Sequence, residues 1–184
     1  LKNSALQLRI CSIKKHYCLG RISHELVQVM PDNRTALMGD DATNSGLFMF
    51  VADKEKDLSA GTLYVAKWKQ TSGVGPGAGD ISWINLGHAT SDEVKGWADQ
   101  YRISDLMDVK TDDPKDASYT KIRFSGKDNW VKLVAGKERE AAFLETIATQ
   151  LWSVQVWDSP KWKVQRSTLR IKLLILQCLM FSLL

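Results

Sequence analysis

Three carboxylates and a histidine stand at the two ends of one short stretch of this sequence: His24 and Glu25 open it, Asp40 and Asp41 close it. Between them, Leu26 to Met30 is a β-prone apolar run. Pro31-Asp32-Asn33-Arg34 then carries turn chemistry, and Thr35 to Met38 resumes a strand. The stretch reads as a hairpin. A hairpin brings its outer ends together, so Glu25 and the Asp40–Asp41 pair are expected within about a nanometre of one another. Carboxylates gathered this closely repel unless protons or a cation neutralise them. Hard cations such as calcium take oxygen ligands of this kind, and Thr43, Asn44 and Ser45 in the following loop add more oxygens. Two readings stand at this point: a cation site at a strand edge, and a solvated acidic turn. The loop from Asp41 resembles the opening of an EF-hand, but its twelfth position is Ala52 rather than Glu, which excludes that motif. His24 adds an imidazole able to bind a metal or move a proton, against the plainer reading of a structural histidine beside a strand.

Other chemistries find less support. Gly73, Gly75, Gly77 and Gly79 alternate through a loop, yet no Lys-Ser/Thr follows and Pro76 interrupts them, so this is a solvent loop rather than a phosphate cradle. No Ser/His/Asp or Cys/His arrangement can be built, and no catalytic side chain is assigned. Cys11, Cys18 and Cys178 lack metal-binding spacing and read as buried or incidental thiols. His88 is expected to shape the start of the helix that follows it. Trp68, Trp83, Trp97 and Trp130 fall in separate elements, which favours packing over a stacking platform.

The elements that must position the carboxylates are mostly strands. Beyond the hairpin, Leu47–Val51, Thr62–Trp68 and Ile81–Leu86 read as three more. Thr90-Ser91-Asp92-Glu93 is a capping box opening a helix to about Tyr101. A strand pair is expected around Tyr119–Phe124 and Trp130–Leu133, joined at Gly126. Lys137 to about Trp152 reads as a second helix, with Ala141, Leu144, Ala148 and Leu151 along one face. The fold class is mainly β with two or more helices, and a sandwich, barrel or propeller all accommodate it. No clean internal repeat is present.

Charge separates the ends from the middle. Residues 1–30 carry a net +4 and residues 159–184 a net +5, whereas residues 31–158 carry −5. A nucleic-acid surface needs its basic groups along a folded face, so no nucleic-acid partner is expected; the acidic centre suits cations. Lys14 and Lys15 interrupt the only moderately apolar N-terminal stretch, and no signal peptide is visible in the chain. Leu173 to Leu184 is almost wholly apolar but falls short of the roughly 20 residues a spanning helix needs. Aggregation or membrane adhesion of this end is expected instead.

With these residues in view the sequence resembles the bacterial PhoX-type alkaline phosphatases. Gly20-Arg21-Ile22-Ser23-His24-Glu25 is similar to the family's Gly-Arg-Phe-x-His-Glu motif, and Pro31 through Ser72 resembles the long block that follows it. Trp83 to Thr90 continues the resemblance and Ala141 to Thr146 ends it. The resemblance spans residues 19–146, leaving an unmatched flank at 1–18 and a basic, then apolar, tail at 147–184 that is expected to lie outside the packed domain. It implies a secreted or periplasmic β-propeller enzyme that uses calcium and iron to hydrolyse phosphomonoesters. It further implies that Glu25 and Asp41 are metal ligands, with His24 and Asp40 as their supporting neighbours.

The resemblance also implies ligands that this segment does not supply, a Cys and several carboxylates from a block preceding Leu19. At about 40–45 residues per blade, residues 19–146 make roughly three blades of an incomplete propeller. The expectation is therefore a phosphatase fragment that is inactive alone. The rival readings are a non-catalytic propeller-type binding or structural module, and a truncated product without function.

Overall fold

The strand signals that flank the carboxylates resolve into one antiparallel meander. In the computed structural model, which describes residues 13–41, 46–75, 77–124 and 126–154, β1 (His24–Val29) and β2 (Thr35–Asp40) form the expected hairpin. Asp32 organises its turn: one carboxylate oxygen accepts from the Arg34 and Thr35 amides, at 3.0 and 2.9 Å, and the other from the Thr35 hydroxyl at 2.6 Å. Asn33 takes the left-handed conformation there, which Asn tolerates better than most residues. Next come β3 (Leu47–Lys54), β4 (Asp57–Ser72) and β5 (Ala78–Thr90), in spatial order β1-β2-β3-β4-β5.

Alternation decides which face is buried. Ala36 and Met38 of β2, Phe48, Phe50 and Ala52 of β3, and Leu63 and Val65 of β4 point into one cluster from which water is excluded. Gly61 lies where β4 crosses close to its neighbour. A Cβ there would come within 2.4 Å of the Val51 carbonyl oxygen and 2.5 Å of the Phe50 ring.

Helices close over this face. α1 (Ser91–Gln100) begins at the capping box read from the sequence: the Glu93 amide donates to Thr90 Oγ1 at 3.1 Å, and the Thr90 amide to Glu93 Oε2 at 2.8 Å. A short α2 (Ile103–Leu106) and β6 (Met107–Lys110), neither expected from the sequence, lead into β7 (Thr120–Phe124) and β8 (Lys127–Leu133). These three strands make a second antiparallel sheet in the order β6-β8-β7. The chain is thus mainly β, with two antiparallel sheets, and neither sheet closes on itself among the described residues.

The single helix expected over 137–152 is two, α3 (Glu138–Leu144) and α4 (Thr146–Val154), broken at Glu145 with φ −130° and ψ 54°. Ile147–Val154 departs from the expectation that the chain past Thr146 stands outside the packed domain. Val154 is buried in the first cluster, Leu151 in the second, and Ile147 packs on both. Apolar side chains at this spacing give α4 one stripe for each sheet.

Candidate metal-binding edge

The segment leading into β1 is clamped before it reaches the carboxylates. Gly20 lies in the left-handed region, with φ 86°, and a Cβ on it would come within 2.8 Å of Thr146 Oγ1. The next amide, of Arg21, donates to the Phe143 carbonyl at 3.1 Å and to Thr146 Oγ1 at 2.9 Å. The Arg21 guanidinium pairs with Glu145. The motif therefore sits against the α3–α4 break, and the two support each other.

From there the hairpin closes as expected. His24 stands opposite Asp40, and the Asp41 amide donates to the Ser23 carbonyl at 2.9 Å. The pairing resumes at Leu26 opposite Gly39, so Glu25 is the extra residue of a β-bulge. Bulges re-aim a side chain and end regular pairing, and they are over-represented at sheet edges and beside active sites. Glu25 and Asp41 are both exposed at this edge. The backbone thus brings both ends of the motif together.

Asp40 behaves differently. It follows Ala36 and Met38 on the buried face and is 3% exposed. Its Oδ1 accepts from the Ser23 amide at 2.7 Å, while its Oδ2 has no hydrogen-bond partner among the described residues. Burial pushes its pKa up and the neighbouring Asp41 charge adds to that, while the Ser23 hydrogen bond and His24 oppose it. His24 is exposed, with Nε2 3.4 Å from the Gly20 carbonyl oxygen.

Chemically the edge offers hard oxygen donors, which fit calcium; two carboxylates fill a minority of the six to eight positions calcium takes. Iron fits less well. Thr43, Asn44 and Ser45 lie outside the described residues, as do Cys11 and Cys178. Cys18 lies in the first cluster, its Sγ 3.1 Å from the Leu58 carbonyl oxygen and 3.3 Å from Ser91 Oγ, and burial raises its pKa. A thiol so placed is an inert packing group rather than a thiolate ligand. Among the described residues, no three His, Cys, Asp or Glu side chains are grouped to hold a metal.

His88 stands two residues before Thr90, the cap of α1. It lies within β5 and reaches across β4, with Nε2 3.0 and 3.1 Å from the two carboxylate oxygens of Asp53.

Residues 9–150 match the sequence pattern of the family described as alkaline phosphatase PhoX. The chain belongs to the PhoX family. No curated protein and no solved structure matches it. The PhoX match begins before Leu19 and runs past Thr146, taking in the Gly20–Glu25 motif, the Gly39–Asp41 end of the hairpin and most of α4. Two features of this PhoX segment were not legible in the motif itself: the clamp of Arg21 on Glu145 and Thr146, and the buried Gln150 of α4. The first joins residues too distant in sequence for any spacing rule. The second had a faint signal, a polar residue between the apolar positions Ile147 and Val154. No helix among the described residues is long and apolar enough to cross a membrane.

Proposed function

We propose that this chain is part of a secreted or periplasmic metal-dependent phosphomonoesterase of the PhoX type and that it does not turn over substrate alone. Glu25 and Asp41 are its calcium ligands, and His24 and Asp40 support them. The observation carrying this reading is the paired edge itself: His24 opposite Asp40, Glu25 in a bulge, and Asp41 bonded through its amide to Ser23. Membership of the family adds phosphomonoesters as the substrate class. Cations bound here would neutralise phosphoryl oxygens and position a water to attack phosphorus, so the nucleophile need not be a side chain. The chain's own part is to hold two carboxylates at a fixed edge. Iron belongs to the family reading as the second metal, and its ligands come from elsewhere than Cys18. The meander β1–β5 and the three-stranded sheet are read as parts of an incomplete propeller.

The incomplete ligand set also favours weak cation binding. A flexible site with few ligands binds calcium at about millimolar concentration. Calorimetric titration should find that affinity in the wild type and lose it in Glu25→Gln and Asp41→Asn, while both variants keep their melting temperature. Assay of the purified chain with an aryl phosphate, calcium and iron should show no hydrolysis above background. Robust metal-dependent turnover would overturn the claim of inactivity. Unchanged calcium affinity in both variants would overturn the ligand assignment.

A further inference from the structure

The face that α4 turns toward the five-stranded sheet carries Ile147, Gln150 and Val154, one turn apart. Ile147 and Val154 join the first cluster. Gln150 is 2% exposed, and its Oε1 has no hydrogen-bond partner among the described residues. Its amide fills the space over Gly46: a Cβ on that glycine would lie 2.4–2.6 Å from the amide atoms.

Gly46 in turn locates Asp40. Met38 pairs with Phe48 and Gly39 with Leu47, where the pairing of β2 with β3 ends; continued by one step, this register would bring Gly46 alongside Asp40. Residues directly opposed in an antiparallel pair project to the same face, with Cβ positions about 4.5–5.5 Å apart. The Gln150 amide and the Asp40 carboxylate therefore share one patch of the buried face. Each brings an acceptor with no hydrogen-bond partner among the described residues, Oε1 and Oδ2. Burying two such acceptors without a donor is unfavourable. An amide carries donors at one end and an acceptor at the other, so a half-turn of the Gln150 amide would exchange Oε1 for a donor from which Asp40 Oδ2 can accept.

We propose that Gln150 is a positioning residue for the carboxylate edge: its amide, seated over Gly46, fixes the Asp40 side chain and with it the strand end that carries Asp41. This rests on the reading of Asp41 as a calcium ligand. It assigns α4 a task beyond packing and gives Gly46 a reason to lack a side chain, because any Cβ displaces the amide.

Gln150→Met tests the proposal, since it removes the amide at nearly constant length and flexibility. If the amide made no bond to Asp40, deleting a buried unpaired acceptor would leave the melting temperature unchanged or raised. The proposal expects a lower melting temperature, because Asp40 Oδ2 loses its donor, and expects that loss to vanish in an Asp40→Leu background. Calcium titration well below both melting temperatures should show affinity weakened about tenfold, the size of effect that neighbours of metal ligands typically exert. A melting temperature unchanged or raised by Gln150→Met overturns the proposal, as does a lowered one with wild-type calcium affinity, which is the signature of packing alone. Should the wild type bind no calcium, the ligand reading falls, and whether the loss caused by Gln150→Met vanishes in the Asp40→Leu background decides whether Gln150 holds Asp40. Should Asp40→Leu fail to fold, the Gln150→Met melting temperature and titration decide without it.

Discussion

Among the described residues, Asp40 and Glu145 are the carboxyls whose pKa values burial pushes up, and a different neighbour opposes the shift in each. For Asp40 it is the Ser23 amide; for Glu145 it is the Arg21 guanidinium. Glu145 allows a clean test, since Arg21 is its ion-pair partner and lies largely in water. A carboxyl whose folded-state pKa is raised keeps its proton longer in the folded chain, so its contribution to stability falls as pH rises through that value. Glu145→Gln removes this loss, and the exposed ion pair it sacrifices is worth only about 0–1 kcal/mol. Relative to wild type, the variant should therefore melt higher at about pH 7 than at about pH 4.5. Calorimetry at both pH values checks this; a difference independent of pH would mean that burial does not govern Glu145. The sequence made Glu25, Asp40 and Asp41 visible as a group but did not say which of them is buried. Strand parity held that answer, because Asp40 shares the face of Ala36 and Met38. The Glu25 bulge was not readable, since nothing in His24-Glu25-Leu26 marks where the register slips.

The elements most legible in the sequence are those whose signals are local. The five strands of the meander and the capping box all appear where turn chemistry and alternation place them. The capping box carries its own test: Thr90→Ala removes the acceptor for the Glu93 amide and should lower stability by about 1 kcal/mol in urea unfolding. No loss would mean that another group takes over the amide. Elements decided by distant contacts were harder to read. The apolar period runs unbroken through Ala141, Leu144, Ala148 and Leu151, yet the helix stops at Glu145. There the Arg21 amide takes the Phe143 carbonyl, which a continuous helix would offer to Ile147. Tertiary hydrogen bonding overrode periodicity. α2 and β6 went unseen because four-residue elements are too short to show a period. β4 and β5 outrun their expected bounds for a third reason. They pair with each other to Ser72 and Ala78, well past the residues where β3 pairs with β4, and Trp68 packs across Gly79 on that arm. A ribbon that pairs mainly with itself needs no core-facing alternation to mark it.

At the scale of the whole molecule, the question is where the folded unit stops along the C-terminal half. The sequence places a boundary at Thr146, on the loss of resemblance and the basic, then apolar, composition beyond it. Packing places it later. Leu151 and Val154 are 7% and 1% exposed, and α4 bridges the two clusters that belong to the two sheets. A cut after Thr146 would strip both clusters of their shared helix and expose buried apolar surface on each sheet. Truncating a single buried aliphatic side chain typically costs about 2–5 kcal/mol, and stability totals only about 5–15 kcal/mol, so that shortened chain should not fold. Even a cut after Trp152 removes Val154. Deleting residues 155–184 is a different operation. It removes five basic residues and the apolar run from Leu173 to Leu184, and leaves every described contact in place. We expect this shorter chain to keep the wild-type melting temperature and to remain monodisperse at concentrations where the full chain scatters light, because an apolar run of this length promotes association. Differential scanning calorimetry and light scattering on the full chain, the chain ending at Val154 and the chain ending at Thr146 read out both halves of the claim. A chain ending at Val154 that melts several degrees lower would move the boundary beyond α4. A chain ending at Thr146 that folds cooperatively would show that α4 is dispensable to the two sheets it joins.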